Sequence, residues 1–182
     1  MLKFITKFLY LTSILAILCV FTSCAVSSTS HTQEKVEEDV SYSNLSEGMD
    51  MPDIVLQTNQ GSTFDLSKID KPALVNFWAT WCPPCRSEMP GLQNLYDSYK
   101  DKVDFILIDS VETEEDVNSF ISEEGYTFPI AYDLDNAYSI KFNITAIPTT
   151  YIVGKDKKIK KFFLGATSEE DFKAALDSVI NE

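Results

Sequence analysis

The feature that most constrains the fold is a cysteine pair, Cys82 and Cys85, that follows closely on the apolar run at 72–78. A nearly continuous apolar run of this length is typical of a strand that is buried on both faces. Pro83 and Pro84 suit the first turn of a helix, where their missing N–H groups cost nothing. The sequence therefore predicts a buried strand, a short loop and a helix that begins near Cys82.

The spacing of the two cysteines also predicts their chemistry. One helical turn separates Cα atoms by a distance within the roughly 4.4–6.8 Å that a disulfide requires. The free N–H groups and aligned dipoles at a helix N-terminus favour an anion, so we expect them to stabilise the thiolate of Cys82. In C-x-x-C motifs of this kind the thiol pKa falls from about 8.5 to between about 3.5 and 7.5. The pair therefore indicates thiol–disulfide exchange.

Residue counts exclude several other functions. A formal charge of −13 and a pI near 4.4 leave no basic footprint for nucleic acid. His31 is the only histidine, so a Ser–His–Asp or Cys–His nucleophile system is excluded. A zinc site would need a second C-x-x-C pair or core histidines, and the chain has neither. We expect no metal, and no cofactor other than the redox-active disulfide.

The first 48 residues carry export signals instead of a folded domain. Residues 1–23 combine Lys3 and Lys7 with an apolar run too short to span a membrane comfortably, as in a secretory signal peptide. The sequence Phe-Thr-Ser before Cys24 resembles a bacterial lipobox, in which the cysteine is lipidated. The alternatives are an uncleaved anchor and ordinary cleavage nearby. The polar residues 24–48 predict a flexible linker.

A folded domain is predicted over residues 49–182. The sequence predicts a hairpin at 53–65, a helical turn at 66–69, strands at 72–78, 103–109, 128–132, 149–153 and 158–164, and helices at 82–100, from 113, at 135–142 and after Ser168. Because strands and helices alternate before a closing hairpin and helix, the expected class is an α/β layer sandwich with a mixed sheet.

Two motifs carry a resemblance to a known family. The stretch 77–85 and the later Ile147-Pro148-Thr149 resemble the thioredoxin fold. The hairpin, the insertion near 111–142 and Glu88 are similar to its TlpA/ResA branch, bacterial extracytoplasmic thiol–disulfide oxidoreductases that are usually membrane-anchored. The resemblance covers about residues 50–182. It implies a three-layer α/β/α sandwich with a central mixed sheet, an added N-terminal hairpin and a central insertion.

The resemblance also implies a role for each matching residue. Cys82 would attack from an exposed position, and the covered Cys85 would resolve the mixed disulfide. Pro148 would be a cis-proline that faces the disulfide. The residues expected to line a groove for an extended substrate segment are Trp81, Pro83, Pro84 and Ile147.

One departure from thioredoxin itself concerns proton transfer. Thioredoxin has a buried aspartate in this strand, and the chain has Asn76 there, whose amide takes no proton at working pH. Glu88 lies three residues after Cys85, and a partly buried carboxylate has a raised pKa that suits acid/base work near neutrality. The TlpA/ResA branch uses a glutamate in this way, so we expect the same of Glu88. The alternative is a solvated helix charge.

The resemblance favours a monomeric reductase of disulfides in exported proteins, with apocytochrome c before haem attachment as one candidate substrate. Its expected partners are an integral membrane thiol transporter as electron donor and a bacterial membrane, reached through a lipid anchor on Cys24. The residues leave the direction open, because an oxidase or isomerase uses the same dithiol. A non-catalytic binding lipoprotein with a structural disulfide is a further alternative. Peroxidase is excluded, because Val75 and Ala79 stand where peroxiredoxins have Pro and Thr.

Overall fold

The computed structural model describes residues 45–181 of the chain. The signal peptide predicted at 1–23, lipidation at Cys24 and most of the linker predicted at 24–48 fall outside the described residues and stay predictions. In chain order the strands and α-helices are β1 (Val55–Gln57), β2 (Thr63–Asp65), β3 (Ala73–Trp78), α1 (Pro83–Tyr99), β4 (Asp104–Ser110), α2 (Glu114–Glu124), β5 (Ile130–Asp133), α3 (Ala137–Lys141), β6 (Thr149–Val153), β7 (Ile159–Leu164) and α4 (Glu169–Ile180).

Five of the strands form one mixed sheet in the order β5-β4-β3-β6-β7. Strands β3, β4 and β5 are parallel, whereas β6 is antiparallel to β3 and β7 is antiparallel to β6. Every residue of the central strand β3 is buried, because the strand has a neighbour on each side and side chains packed on both faces. This position explains its continuous apolar sequence. The predicted α/β class with a mixed sheet is confirmed.

Alternate residues of the sheet contribute to two apolar cores. On one face, Leu74 and Trp78 of β3 belong to a core shared with α1, α2 and α4. On the other face, Val75 and Phe77 belong to a core shared with the β1–β2 hairpin, a short 3-10 turn at Leu66–Lys68 and the end of α3. The structure therefore has the predicted three layers, with the hairpin and the central insertion (α2, β5 and α3) added to them.

Both edges of the sheet are partly covered, which limits their pairing with other chains. At β5, the N–H of Asn59 donates to the Ile130 carbonyl at 2.9 Å, and the Ile130 N–H donates to Asn59 Oδ1 at 3.0 Å. At β7, the N–H of Gly48 donates to the Ile159 carbonyl at 2.7 Å. The end of the predicted linker thus differs from the expectation, because residues 45–48 pack on the domain and the apolar Leu45 is buried.

Helices α2 and α4 begin at the caps that the sequence predicts. The Thr113 hydroxyl accepts the N–H of Asp116 at 3.2 Å, and the Ser168 hydroxyl accepts that of Asp171 at 3.1 Å. Each bond satisfies a backbone donor of the first turn that has no partner within the helix. Helix α1 runs through Pro90 to Tyr99. It carries the redox site at its N-terminus.

Candidate redox-active site

The cysteines lie where the sheet meets the first helix. The loop 79–81 follows β3 and leads to Cys82, which is the N-cap residue of α1. Pro83 and Pro84 occupy the first two helical positions, where no N–H is needed. The backbone of Cys82 is extended, and its Sγ accepts the N–H of Cys85 at 3.2 Å. The sulfur therefore takes the place of the usual capping oxygen.

Cys82 and Cys85 form a disulfide with an Sγ–Sγ distance of 2.08 Å and a Cα–Cα distance of 5.3 Å. The Cα–Cα distance lies in the range that the C-x-x-C spacing predicts. Cys85 is fully buried, and Cys82 keeps only 3% of its surface exposed. The expectation that Cys82 is exposed is therefore wrong for the disulfide form, because the backbone of Ile147 lies against its sulfur.

The loop before β6 completes the surroundings of the disulfide. The peptide bond between Ile147 and Pro148 is cis, as the resemblance implies. The Ile147 carbonyl oxygen lies 3.8 Å from Cys82 Sγ. Within residues 45–181, no hydrogen bond uses the N–H of Ile147. Its backbone can therefore pair with an extended segment of another protein.

An apolar cleft of about 470 Å³ borders this loop, and its wall includes Trp81, Val111 and Ile147. The side chain of Trp81 is 66% exposed and that of Val111 is 61% exposed. The φ angle of Val111 is +72°, a left-handed conformation that is rare for a β-branched residue. Pro83 and Pro84, predicted as groove residues, are exposed at the helix start but are not part of this wall.

Glu88 is buried, with 6% of its surface exposed, so it is not a solvated helix charge. Its Oε1 accepts a hydrogen bond from Asn76 Nδ2 at 2.9 Å, and its Oε2 accepts the N–H of Thr167 at 3.0 Å. Burial raises the pKa of Glu88 to about 7, while the two hydrogen bonds oppose this rise. One helical turn after Cys85, the chain therefore holds a carboxyl that exchanges its proton near neutral pH.

Asn76 belongs to the same network as Glu88. Its Nδ2 also donates to Thr150 Oγ1 at 2.8 Å, whereas its Oδ1 is buried without a partner. A buried acceptor without a donor costs roughly 1–3 kcal/mol. If the amide turned over, Oδ1 would face the protonated Glu88 carboxyl and accept a hydrogen bond from its O–H. Asn76 thus orients Glu88 in the present geometry and offers an acceptor for its protonated form.

A second group of carboxyls, which the sequence prediction missed, contacts the disulfide loop. Glu112 accepts hydrogen bonds from the Thr80 N–H at 2.6 Å and from Thr80 Oγ1 at 2.5 Å. Asp109 is fully buried, and its Oδ1 accepts the Glu112 N–H at 3.2 Å. Asp109 ends the strand predicted at 103–109, and active-site groups collect at the carboxyl ends of parallel strands in α/β folds, so this position could have pointed to it. Thr167 has no comparable signal.

Within residues 45–181, no group of three or more His, Cys, Asp or Glu side chains could hold a metal ion. Over the same range, no helix is long and apolar enough to cross a bilayer. The expectation that the disulfide is the sole redox group stays a prediction.

Known proteins match this chain over the whole folded part. The Redoxin family matches residues 46–179. The thiol-disulfide oxidoreductase ResA of Geobacillus thermodenitrificans is 34% identical over 134 residues, which cover 72% of this chain and 77% of that protein. ResA of Bacillus thuringiensis is 31% identical over 134 residues, with 72% and 78% covered.

A solved structure has the same fold. The crystal structure of StoA from Bacillus subtilis superposes with a TM-score of 0.63 at 26% identity, covering 68% of this chain and 96% of StoA. The C-x-x-C disulfide, its place at a helix N-terminus and the relatives' activity agree with one another. The chain therefore belongs to the Redoxin family, as a thioredoxin-fold, ResA-like thiol–disulfide oxidoreductase.

Proposed function

We propose that the chain reduces disulfides of exported proteins, with Cys82 as the attacking thiol and Cys85 as the resolving thiol. The observation that carries this proposal is the site's geometry. Cys82 Sγ caps α1, the cis Ile147–Pro148 bond lies against it, and the buried Glu88 lies one helical turn after Cys85. Thiol–disulfide exchange follows from the family, and the direction and residue roles are the proposal.

In the proposed cycle the reduced protein begins with two thiols. The Cys82 thiolate attacks a substrate sulfur, so the substrate disulfide breaks and a mixed disulfide forms at Cys82. Cys85 then attacks Cys82 Sγ, which releases the second substrate thiolate and forms the intramolecular disulfide. The substrate gains two electrons and two protons. The protein loses two electrons and two protons, and a thiol donor then restores its dithiol.

Glu88 is the proposed acid/base group for Cys85. The resolving thiol must lose its proton before it attacks, and the buried Cys85 has no contact with bulk water in the disulfide form. Burial places the pKa of Glu88 at about 7, so a large fraction of this carboxyl is ionised at neutral pH and can take the proton. Asn76 and Thr167 hold the carboxyl in place through its two oxygens.

The proposed binding surface for substrates is the apolar cleft together with the Ile147 backbone. An extended substrate segment would pair with the backbone of Ile147, as a strand pairs at a sheet edge. Trp81 and Val111 would contact apolar side chains next to the substrate cysteine, because both are more than half exposed at the cleft. The absence of charge at these two positions favours apolar over charged neighbours.

The reducing direction is supported by the charge around the dithiol. Residues three apart on a helix have Cβ atoms about 5–6 Å apart, and an ionised Glu88 carboxyl at that range would disfavour a thiolate on Cys85 by about 3 kcal/mol at an effective dielectric constant of 20. The helix N-terminus favours the Cys82 thiolate by only about 0.3–1 kcal/mol. The nearby Arg86 is engaged elsewhere, with Glu124 at 3.4 Å and the Phe120 ring at 5.0 Å. A destabilised thiolate makes the dithiol a stronger reductant.

The reduction potential of the Cys82/Cys85 couple tests this direction. We expect a value near or below about −270 mV, in the range of thioredoxin. The matched variant Glu88→Gln removes the carboxylate, so its potential should rise by about 30–60 mV. A wild-type potential between about −180 and −120 mV, as in disulfide isomerases and oxidases, would support the alternative of an oxidase or isomerase.

We further propose that a lipid on Cys24 anchors the chain to the outer face of a bacterial membrane, as a monomer. An integral membrane thiol transporter would then supply electrons, because an extracytoplasmic compartment provides no thiol pool of its own. The test is fractionation of cells that express the wild type or Cys24→Ala. If Cys24 carries a lipid, the wild type should be found in the membrane fraction. Cys24→Ala, which lacks this anchor, should be found there in a smaller amount.

Apocytochrome c is the proposed candidate among exported substrates. Its haem-attachment segment, C-x-x-C-H, carries two cysteines whose disulfide must be reduced before haem can bind. A peptide with this segment in disulfide form should be reduced by the dithiol protein faster than a peptide with charged residues beside its cysteines. Equal rates would leave general reduction of exported proteins intact and remove this substrate preference.

A further inference from the structure

The chain after β4 turns back toward the loop that precedes the disulfide. At Val111 the backbone adopts a φ of +72°, so the next residue, Glu112, can donate its N–H to Asp109 Oδ1 at 3.2 Å. A left-handed conformation at a β-branched residue costs free energy and persists only where neighbouring contacts stabilise it. The contacts in question are the two short hydrogen bonds from Thr80 to Glu112. The turn therefore connects β4 to the disulfide loop.

The second oxygen of Asp109 lacks a donor in this arrangement. Asp109 is fully buried, and Oδ2 has no hydrogen-bond partner among the described residues. Burial, and next the Glu112 side chain, raise the pKa of Asp109 to about 8. A proton on Asp109 turns two repelling acceptors into a donor and an acceptor. Burial and the neighbouring carboxyl therefore both favour the protonated form of Asp109.

Other groups around Asp109 act in the same direction or contribute no charge. Asp133 of β5 adds a negative charge that disfavours the ionised form. Tyr132, which is paired with Asp109 across β4 and β5, is a neutral phenol at neutral pH. Glu114, at the start of α2, adds a negative charge near Tyr132. On β3, the paired residue is the uncharged Trp78.

We propose that Asp109 and Glu112 are positioning residues of the redox site: protonated Asp109 donates to Glu112, and Glu112 holds Thr80 and thereby the loop to Cys82. The proposal rests on Cys82 being the attacking thiol. Thr80 is bound through both its N–H and its hydroxyl, so this loop has a fixed start two residues before the sulfur. A fixed loop keeps Cys82 Sγ next to the Ile147 carbonyl oxygen, which lies 3.8 Å away.

Loss of the Asp109 proton should release this arrangement. Two ionised carboxyls in contact repel, and the one that can move is Glu112, which is only half-buried. Glu112 would move toward solvent and lose Thr80. The substitution Asp109→Asn supplies a permanent N–H donor in place of the titrating proton. This variant should keep the loop fixed at every pH.

The direct test follows the Thr80 amide by NMR in the full-length, oxidised protein in detergent, where the two active-site cysteines do not titrate. The Thr80 signal should shift with a midpoint near pH 8 in the wild type. It should stay unchanged up to pH 9.5 in Asp109→Asn. Glu114→Gln, which removes a neighbouring carboxyl, is the matched control and should titrate as the wild type does.

The functional readout is the rate at which dithiothreitol reduces the disulfide. The ratio of the Asp109→Asn rate to the wild-type rate at each pH cancels the ionisation of dithiothreitol. This ratio should be close to one at pH 6.5. Above pH 8.5 the two rates should differ by a factor of about three, which is the effect expected from the loss of one ordinary hydrogen bond. Glu112→Ala should show the altered rate at every pH.

Two outcomes would overturn the proposal. The first is a Thr80 signal that titrates identically in the wild type and in Asp109→Asn. The second is a rate ratio that stays constant from pH 6.5 to 9.5. Both readouts are measured without a protein substrate, so they are independent of the direction and substrates proposed above. A protein that reduces no exported disulfide could still show the Thr80 titration.

Discussion

Two buried carboxyl groups near the disulfide, Glu88 and Asp109, have nearly the same exposure but different partners. Glu88 is 6% exposed and receives a hydrogen bond on each oxygen, from Asn76 and from the Thr167 backbone. Asp109 is 0% exposed and has a donor on one oxygen only, while its other oxygen has no donor. Burial raises the pKa of both, to about 7 and about 8.

The difference shows that hydrogen-bond partners decide what a buried carboxyl can do. Donors on both oxygens of Glu88 offset part of the cost of its charge, so it can gain and lose a proton near neutral pH. At Asp109 a neighbouring carboxyl adds to the effect of burial and favours the protonated form, which can act as a hydrogen-bond donor. The first group suits proton transfer, and the second suits positioning. Variants that exchange or remove these partners test the comparison.

The largest effect is expected from removing the dithiol that both groups serve. Cys82→Ser should abolish turnover, because the other cysteine within residues 45–181, Cys85, is fully buried and out of a substrate's reach. Cys85→Ser should still attack and then accumulate a mixed disulfide at Cys82. Insulin reduction measures turnover, and mass spectrometry detects the trapped adduct. Residual turnover in Cys82→Ser would mean that Cys82 is not the attacking thiol.

The next-largest effect is expected from Asn76→Asp. This substitution replaces the hydrogen-bond donor to Glu88 with a second buried carboxyl, so that Glu88, like Asp109, would have a carboxyl beside it. When both groups ionise, the unfolding free energy should fall by about 3–5 kcal/mol, because neither charge is compensated. The loss should be large at pH 8.5 and small at pH 6, where one proton can be shared.

Urea unfolding at the two pH values measures this change. Asn118→Asp is the matched control, because it adds the same charge on an exposed side chain of α2 and should change the unfolding free energy by less than about 0.5 kcal/mol. If Asn76→Asp loses the same stability at pH 6 and pH 8.5, repulsion between ionised carboxyls is not the cause. The difference between the two buried groups would then not lie in their partners.

The sequence predicts one of these two groups and misses the other for physical reasons. Glu88 lies three residues after Cys85, so helix periodicity alone brings it near the dithiol. Glu112 contacts Thr80 from 32 residues away, and that contact depends on how β3 and β4 align and on the left-handed turn at Val111. A valine gives no local signal for such a turn, whereas a glycine would have done so.

In the fold, too, features that depend on local sequence were predictable, whereas features that depend on contacts between distant residues were not. Strand β3, α1 and the caps of α2 and α4 follow from local patterns, and the structure has them at nearly the predicted bounds. Burial of Cys82 was not predictable in this way, because it depends on the loop at Ile147, 65 residues further along the chain. The packing of Leu45 likewise depends on a core assembled from distant strands.

A smaller effect is expected from Glu88→Gln, which removes the titrating group but keeps its size. Folding raises the pKa of Glu88 from 4.5 to about 7. Its contribution to stability is therefore complete below pH 4.5 and is lost as the pH rises through 7, by about 3 kcal/mol in total. The variant should lack this pH dependence and should exchange disulfides about tenfold more slowly at pH 7.

Urea unfolding from pH 4.5 to 8.5 and insulin reduction over the same range check the two parts of this prediction. Gln93→Glu, which places a carboxyl on a more accessible position of α1, is a control for charge on this helix and should leave the pH–rate profile unchanged. A wild-type profile in Glu88→Gln would remove Glu88 from proton transfer. The comparison with Asp109 would then concern stability alone.

The smallest effect is expected at Val111, the residue with a left-handed backbone that connects the Asp109 region to the apolar cleft. Val111→Gly should relieve roughly 1–2 kcal/mol of backbone strain and lose roughly 0.5–1 kcal/mol through the greater freedom of glycine in the unfolded chain, for a net gain of about 0.5–1 kcal/mol. Val55→Gly, at another exposed valine but in an ordinary strand, should only lose stability.

Val111→Gly also removes the proposed apolar contact between Val111 and a protein substrate. This loss should raise KM for insulin about threefold and leave the KM for a small disulfide such as oxidised dithiothreitol unaffected. An unchanged KM combined with greater stability would show that Val111 contributes strain to the turn but no contact to the substrate.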